Sequence, residues 1–209
     1  ALHPLLSQGA RGGAARAQQA RAGLATLPPA YRGDLALLDM VRDSLPTARV
    51  IGDSTQSTYA GNLGFAAAFP GGYANSATGF GTLGWGLPAA IGASLAADKA
   101  QVVCLAGDGG LQFSLAELSS AVETGATILL LLYDNQGYGE IKSSMVAQGV
   151  PPVGVDILTP DLGAIARACG WQVAHADTVE QFRAALGPAP GCRMIRYTDR
   201  LRNDFQQRI

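Results

Sequence analysis

The chain has 209 residues, of which 48% are hydrophobic and 15% charged, and its formal net charge is −1. This composition predicts a globular protein with a sizeable core and excludes a disordered chain. A near-neutral charge predicts no nucleic-acid partner, and the longest apolar run, Ile128 to Tyr133, is too short to predict a membrane span.

Residues 1–30 are rich in Ala, Arg and Gly and end in Pro28-Pro29. They predict a partly helical linker that leads into a single domain, residues 31–209. Because the chain begins with Ala and its glutamine- and arginine-containing start lacks the apolar core of a signal peptide, we expect a part of a longer cytoplasmic polypeptide. The three cysteines are widely spaced in apolar surroundings, which indicates core thiols and neither a disulfide nor a zinc site.

The segment after the linker begins with a helix and a strand. Apolar residues at helical spacing between Leu35 and Leu45 predict the helix, and ARVIG (48–52) predicts a short buried strand. The glycine-rich region 52–84 has little periodicity, and a helix is predicted over 85–97.

From residue 101 onward, strands and helices alternate. Strands are predicted at QVVCLAG (101–107), TILLLLY (127–133), WQVAHA (171–176) and CRMIRYT (192–198). The helices between them are predicted to begin at a Ser114–Glu117 capping box, near residue 137, after Thr159-Pro160-Asp161, and at a Thr178–Gln181 capping box. This alternation predicts an α/β fold, a doubly wound and mainly parallel sheet with helices on both faces.

Two polar segments follow neighbouring strands of this predicted sheet. Gly107-Asp108-Gly109-Gly110 follows the first, and Asp134-Asn135 follows the second. The carboxyl ends of parallel strands meet at one edge, where ligands bind, so we expect Asp108 and Asn135 to be neighbours. Carboxylate, amide and carbonyl oxygens suit Mg²⁺ or Ca²⁺, and a helix N-terminus after glycines favours phosphate. On spacing alone, a metal–diphosphate site and an ordinary βαβ unit with polar loops remain equally open.

The GDG at 107–109, followed by a helix, a strand and an Asn-containing turn, resembles the thiamine diphosphate fingerprint. That fingerprint is found in the family of acetolactate synthase, benzoylformate decarboxylase and pyruvate decarboxylase. The segment NSATGFGTLGWGLPAAIGA (75–93) is similar to the stretch that precedes it in the same family. The resemblance covers residues 34–200 and implies the diphosphate-binding, C-terminal domain of a thiamine diphosphate- and Mg²⁺-dependent 2-oxo acid decarboxylase.

The resemblance implies a role for each matching residue. The implied metal ligands are the side chains of Asp108 and Asn135 and the carbonyl of Gly137. The implied cofactor contacts are Thr55, Gln56, Gly107, Gly109, Gly110 and Tyr138, with the Gly81 carbonyl at the cofactor's amino group and Leu83 holding the cofactor bent. Glu140 is a candidate residue on the substrate side. Many relatives have Asn-Asn where this chain has Asp134-Asn135, so the role of Asp134 stays open.

Relatives take an activating glutamate from a separate pyrimidine-binding domain, usually across a subunit interface. No second α/β domain fits within 209 residues, so we expect this chain to be inactive alone. The full-length form is expected to be a homodimer or homotetramer. A pyrimidine-binding domain of the same or a second subunit would be its partner.

The stretches GDSTQ, YAGN, DNQGYGEI and GVDILTPD are most similar to decarboxylases of 5-guanidino-2-oxopentanoate. Glu140 or Asp134 would then help to hold a guanidinium group. An acetolactate synthase-type carboligase and a non-catalytic domain that keeps the fold remain as alternatives. GFGTLG (79–84) has the GxGxxG pattern, but no strand is predicted before it, so it does not indicate a dinucleotide site. His3 and His175 are expected to be structural or surface residues.

Overall fold

The computed structural model describes residues 12–97 and 100–209, so His3 lies outside the described residues. Six strands form one sheet, and every neighbouring pair in it is parallel. In chain order they are β1 (Arg49–Gly52), β2 (Tyr73–Asn75), β3 (Val102–Gly107), β4 (Ile128–Tyr133), β5 (Gln172–Ala176) and β6 (Cys192–Tyr197). They lie in the order β2-β1-β3-β4-β6-β5. The predicted doubly wound α/β sheet is confirmed.

Ten α-helices accompany these strands in the described part of the chain. They are α1 (Gly13–Gly23), α2 (Pro29–Ser44), α3 (Gln56–Gly64), α4 (Gly86–Ala96), α5 (Asp108–Leu111), α6 (Glu117–Glu123), α7 (Gly139–Ala147), α8 (Leu162–Ala168), α9 (Val179–Ala185) and α10 (Asp199–Gln207). Of the helices described, none has both the length and the apolar character that crossing a bilayer requires.

The sheet separates two hydrophobic core clusters. Residues of α4, α6 and α8 cover one face, and residues of α2, α9 and α10 cover the other. Even-numbered residues of β4 belong to the first cluster and odd-numbered residues to the second. Because both faces of this strand are buried, its sequence is continuously apolar, as the sequence analysis predicted.

The carboxyl ends of three strands meet at one edge of the sheet. Gly107 at the end of β3 is in register with Tyr133 at the end of β4, and the N–H of Asp53, just after β1, donates to the Leu105 carbonyl (2.8 Å). The N–H of Asp134, just after β4, donates to the Tyr197 carbonyl of β6 (2.8 Å). The loops that carry the candidate residues therefore start from neighbouring points.

The glycine-rich region 52–84 contains two elements that periodicity did not predict. Helix α3 lies just after β1, and the three-residue strand β2 forms one edge of the sheet. Helix α10 was also missed, because its only buried apolar residues are Leu201 and Phe205. In each case too few apolar positions repeat to give a local signal.

The prediction of a capping box at Ser114–Glu117 was wrong. The helical segment after β3 begins at Asp108, and Ser114 lies within it, in a 3-10 turn. Glu117 begins α6 without a side-chain cap bond at its N-terminus. The Asp161 cap is confirmed, since its carboxylate accepts from the Ala164 N–H at 2.9 Å. The Thr178 hydroxyl likewise accepts from the Gln181 N–H at 3.3 Å.

The predicted linker contains α1, in which no residue is buried. Helix α2 begins at Pro29, within the final residues assigned to the linker. The division into a linker and a domain at residue 31 stays a prediction. Cys104 and Cys192 are buried free thiols, as expected, and Cys169 is partly exposed.

Candidate functional site

A cavity of 260 Å³ lies at the carboxyl edge of the sheet. Every residue suggested from the sequence for cofactor, metal or substrate, except Asp134, lines it: Thr55, Gln56, Gly81, Leu83, Gly107, Asp108, Gly109, Gly110, Asn135, Gly137, Tyr138 and Glu140. Ser54, Tyr59, Tyr133, Gly139 and Ile141 complete the lining. The fold thus brings together residues from four separate segments of the chain, while their individual roles stay predictions.

The carboxylate of Asp108 is buried at the floor of this cavity and is held on one side. Its Oδ2 accepts from the N–H of Gly137 (3.0 Å) and from the hydroxyl of Thr159 (2.8 Å). Burial raises the pKa of the Asp108 carboxyl, the Thr159 hydrogen bond opposes that rise, and the nearby charge of Asp134 adds to it. Because two donors occupy Oδ2, Oδ1 is left for another partner.

Three oxygen atoms converge beside Asp108. The side-chain oxygen of Asn135 lies 3.1 Å from Asp108 Oδ1 and 2.9 Å from the Gly137 carbonyl oxygen. If the amide oxygen and nitrogen were exchanged, the amide would donate hydrogen bonds to both oxygens. That exchange would satisfy the group by hydrogen bonds alone, whereas with the oxygen in this place the three oxygens suit a divalent cation. These residues therefore fit a Mg²⁺ or Ca²⁺ ion.

No cluster of three or more His, Cys, Asp or Glu side chains that could hold a metal occurs in residues 12–97 and 100–209. A cation at the cavity would therefore depend on a single carboxylate, supplemented by amide and carbonyl oxygens. This is the composition of a hard-cation site that leaves positions open for phosphate oxygens.

The turn after β4 has a restricted backbone. Gln136 has φ 59°, and its N–H donates to Asp134 Oδ1 at 3.2 Å. A Cβ on Gly137 would lie 2.8 Å from the Val155 carbonyl oxygen, which itself accepts from the Tyr138 N–H (3.0 Å). Glycine is required at 137 because the segment around Val155 packs directly on the turn.

The glycines after β3 leave room for neighbouring side chains. A Cβ on Gly109 would lie 2.7 Å from Cε1 of Tyr138, and one on Gly107 would lie 3.3 Å from the Thr55 hydroxyl. The rings and hydroxyl groups of neighbouring loops therefore pack against bare backbone at the cavity floor.

Asp53 holds the loop that carries Gly81 and Leu83. Its Oδ2 accepts from the N–H groups of Gly84 (2.8 Å) and Gly86 (3.1 Å), and its Oδ1 accepts from the Ser54 N–H (2.7 Å). Burial raises the pKa of the Asp53 carboxyl, and these backbone donors oppose the rise. Asp53 was not predicted as a site residue, although the position of this acid directly after a strand, in GDSTQ, is typical of a residue at a ligand site.

The two acids proposed for a guanidinium group have different surroundings. Glu140 is exposed at the cavity, where the Gln56 amide donates to it. Asp134 is buried and is paired with the chain's own Arg196 (Nε to Oδ2, 2.6 Å), and it does not line the cavity. Asp134 is therefore not available to a substrate, and that part of the expectation was wrong.

Two further polar side chains, Lys142 and the His175 named above, lie away from the cavity. Lys142 pairs with Asp156 (2.7 Å) on the exposed side of α7. His175 is exposed on the edge strand β5. Thr159 and Val155, in contrast, were not predicted as site residues. Their contacts with the site depend on how the loop between α7 and α8 folds.

Residues 53–194 match the family model described as thiamine pyrophosphate enzyme, C-terminal TPP binding domain. A probable 2-ketoarginine decarboxylase of Pseudomonas aeruginosa is 37% identical over 72% of this chain and 27% of its own length. Benzoylformate decarboxylase of the same organism is 36% identical over 56% of this chain and 22% of its own length. The acetolactate synthase isozyme 3 large subunit of Escherichia coli is 34% identical over 49% of this chain and 19% of its own length.

Two solved structures have the same fold. The thiamine diphosphate-dependent 4-hydroxybenzoylformate decarboxylase of Rhodococcus jostii RHA1 aligns with a TM-score of 0.69 at 27% identity. Benzoylformate decarboxylase from Polynucleobacter necessarius aligns with a TM-score of 0.68 at 23% identity, a likeness of fold. Each alignment covers 78% of this chain and 32% of the other. The chain spans less than a third of the length of each of these relatives.

Proposed function

We propose that this chain, which belongs to the C-terminal TPP-binding domain family of the thiamine pyrophosphate enzymes, binds the diphosphate end of thiamine diphosphate (TPP) with Mg²⁺ or Ca²⁺. The observation that carries the proposal is the convergence of the Asp108 carboxylate, the Asn135 side-chain amide and the Gly137 carbonyl. It lies at the floor of a cavity lined by bare glycine backbone. Asp108, Asn135 and the Gly137 carbonyl would hold the cation, which would supply positive charge for the diphosphate.

We propose a binding role for each group of residues that lines the cavity. The cation ligands are Asp108, Asn135 and the Gly137 carbonyl. The proposed diphosphate contacts are Thr55, Gln56, Gly107, Gly109, Gly110 and Tyr138. The Gly81 carbonyl would accept from the cofactor's amino group, and the apolar Leu83 would keep the cofactor bent without competing hydrogen bonds. Asp53 fixes the loop that carries these last two residues, through its bonds to Gly84 and Gly86.

When bound, TPP supplies the electron sink that removal of CO₂ from a 2-oxo acid requires. The chain's own contribution is binding and orientation. Buried Asp108 offers Oδ1 while Thr159 and the Gly137 N–H hold its other oxygen. Because the Asp108 carboxylate is already held in place in the free protein, ligand binding costs little conformational entropy at this side chain.

Binding is tested by titrating the full-length protein with TPP at saturating Mg²⁺, using isothermal titration calorimetry. Asp108→Ala and Asn135→Ala should each weaken TPP binding by at least about a hundredfold, because each removes one of three protein ligands of the cation. Asp43→Ala, on the exposed end of α2, should bind like the wild type. Equal affinity of all four proteins would refute the proposed site.

The chain is proposed to be part of a longer, cytoplasmic homodimer or homotetramer, with a pyrimidine-binding domain of the same or a second subunit as its partner. We propose that it is inactive alone, because among residues 12–97 and 100–209 no acid lines the cavity except Asp108, proposed as a cation ligand, and Glu140, at its exposed side. The test compares CO₂ release by the isolated chain and by the full-length protein. Turnover by the isolated chain would contradict the proposal.

The proposed substrate is 5-guanidino-2-oxopentanoate, also called 2-ketoarginine. The support is the similarity to a probable 2-ketoarginine decarboxylase and the position of Glu140, whose exposed carboxylate lines the cavity. A carboxylate there suits a guanidinium group. Glu140→Gln should raise KM for the guanidino substrate about tenfold and leave KM for the uncharged 2-oxohexanoate unchanged. An equal rise for both substrates would show that Glu140 does not select the guanidinium.

Two other functions remain open to experiment. An acetolactate synthase-type carboligase would give an acetohydroxy acid, whereas the decarboxylase gives an aldehyde and CO₂, so product analysis of the full-length protein separates them. A non-catalytic domain that keeps the fold would give neither product. Similarity to the large subunit of acetolactate synthase supports the carboligase alternative.

A further inference from the structure

We propose that the ion pair between Asp134 and Arg196 positions the cation-binding turn after β4, so that both are positioning residues of the TPP site. This inference rests on the proposed function. Arg196 lies on β6 in register with Leu132 of β4, and its guanidinium contacts Asp134 Oδ2 through Nε (2.6 Å) and Nη2 (2.5 Å). The Asp134 side chain is 3% exposed and the Arg196 side chain 29%.

The other oxygen of Asp134 holds the turn itself. Oδ1 accepts from the N–H of Gln136, whose φ of 59° is unfavourable for a residue with a side chain. Asn135 and Gly137 flank Gln136. The backbone conformation of Gln136 therefore sets the direction of the Asn135 side chain and of the Gly137 carbonyl. Asp134 therefore connects a guanidinium on the sheet to the two proposed ligands of the turn.

The pair also sets the charge beside the cation. Asp134 immediately precedes the proposed ligand Asn135, and its carboxylate is buried within the same turn, so its charge acts on the site. Arg196 offsets the negative charge of Asp134. A bound diphosphate then lies near one uncompensated carboxylate, that of Asp108, instead of two. Loss of Arg196 alone would leave a buried, uncompensated carboxylate in the turn, next to the proposed cation ligand Asn135 and near the diphosphate.

The inference is tested by TPP titration of the full-length protein at saturating Mg²⁺, a binding readout that needs no turnover. Arg196→Gln should weaken TPP binding about tenfold, or about 1.4 kcal/mol. The double variant Asp134→Asn/Arg196→Gln should return to within about threefold of the wild type, because an amide oxygen can still accept from Gln136 and the unpaired charge is gone. Arg196→Lys should keep most of the affinity.

The matched control is Arg193→Gln, at the start of the same strand, where the guanidinium bonds to the Ala185 and Gly187 carbonyls. It should bind TPP like the wild type. The inference is overturned if Arg196→Gln binds normally, or if the double variant is as weak as Arg196→Gln, since a merely structural arginine would not be rescued by neutralising Asp134. Failure of the proposed function would look different, because Asp108→Ala would then bind as the wild type does.

Discussion

Replacement of Arg202 by methionine should strongly destabilise the protein. Arg202 on α10 forms a two-point ion pair with Asp34 on α2, with Nε to Oδ1 at 2.9 Å and Nη2 to Oδ2 at 2.8 Å. The Asp34 side chain is 0% exposed and the Arg202 side chain 9%. The guanidinium also donates to the Tyr133 hydroxyl (2.9 Å) and lies 4.8 Å from the centre of that ring.

The expected loss follows from this burial. Methionine retains the apolar stem of the side chain but leaves the Asp34 carboxylate buried without its cation, which costs about 3–5 kcal/mol. For a domain of this size, that corresponds to a Tm about 6–20 °C lower. The double variant Asp34→Leu/Arg202→Met should lose less, about 1–2 kcal/mol, because no buried charge is left unpaired.

The deficit of Arg202→Met should also depend on pH. Burial already raises the pKa of the Asp34 carboxyl, and Arg202 opposes the rise, so its loss raises that pKa further. An acid with a raised pKa in the folded state binds its proton more tightly than in the unfolded state, so the protein loses stability as pH rises through the folded-state pKa. The deficit should therefore be smaller at pH 5 than at pH 8.

Differential scanning calorimetry of the protein at both pH values measures these effects. The control is Arg200→Met on the same helix, where an exposed guanidinium lies 3.6 Å from Asp177, and less than about 1 kcal/mol should be lost. The reasoning is refuted if Arg202→Met is no worse than this control, or if removing both charges is as harmful as removing one.

Three further changes test other parts of the structure. Gly137→Ala would place a Cβ 2.8 Å from the Val155 carbonyl oxygen, and calorimetric titration should show TPP binding weakened by at least about tenfold. Leu130→Ala, in the buried centre of β4, should lower the free energy of unfolding by about 2–5 kcal/mol in urea. The hydrogen bond from Arg208 is the largest of several contacts that lower the pKa of Glu180 from 4.5 to about 2, a stabilisation present above 4.5 and lost as pH falls through about 2. Carboxyl NMR of Arg208→Gln should show the Glu180 pKa raised toward 4.5, and an unchanged value would contradict the pairing.

The sequence by itself determined five of the six strands and the location of the candidate site. The continuous apolar run of β4 predicted a strand buried on both faces, because side chains alternate between the two core clusters. Asp108 and Asn135 each follow a strand, and parallel strands end at the same edge, so their proximity followed from topology. These inferences needed only local periodicity and one rule of connection.

The tertiary structure decided which residues support that site. Thr159 reaches Asp108 across 51 positions, Arg196 reaches Asp134 across 62, and Arg202 reaches Asp34 across 168. No pattern within one element indicates such partners, because each contact depends on how separate loops and helices pack over the sheet edge. The sequence therefore located the candidate ligands, and only the packing showed which side chains hold them in place.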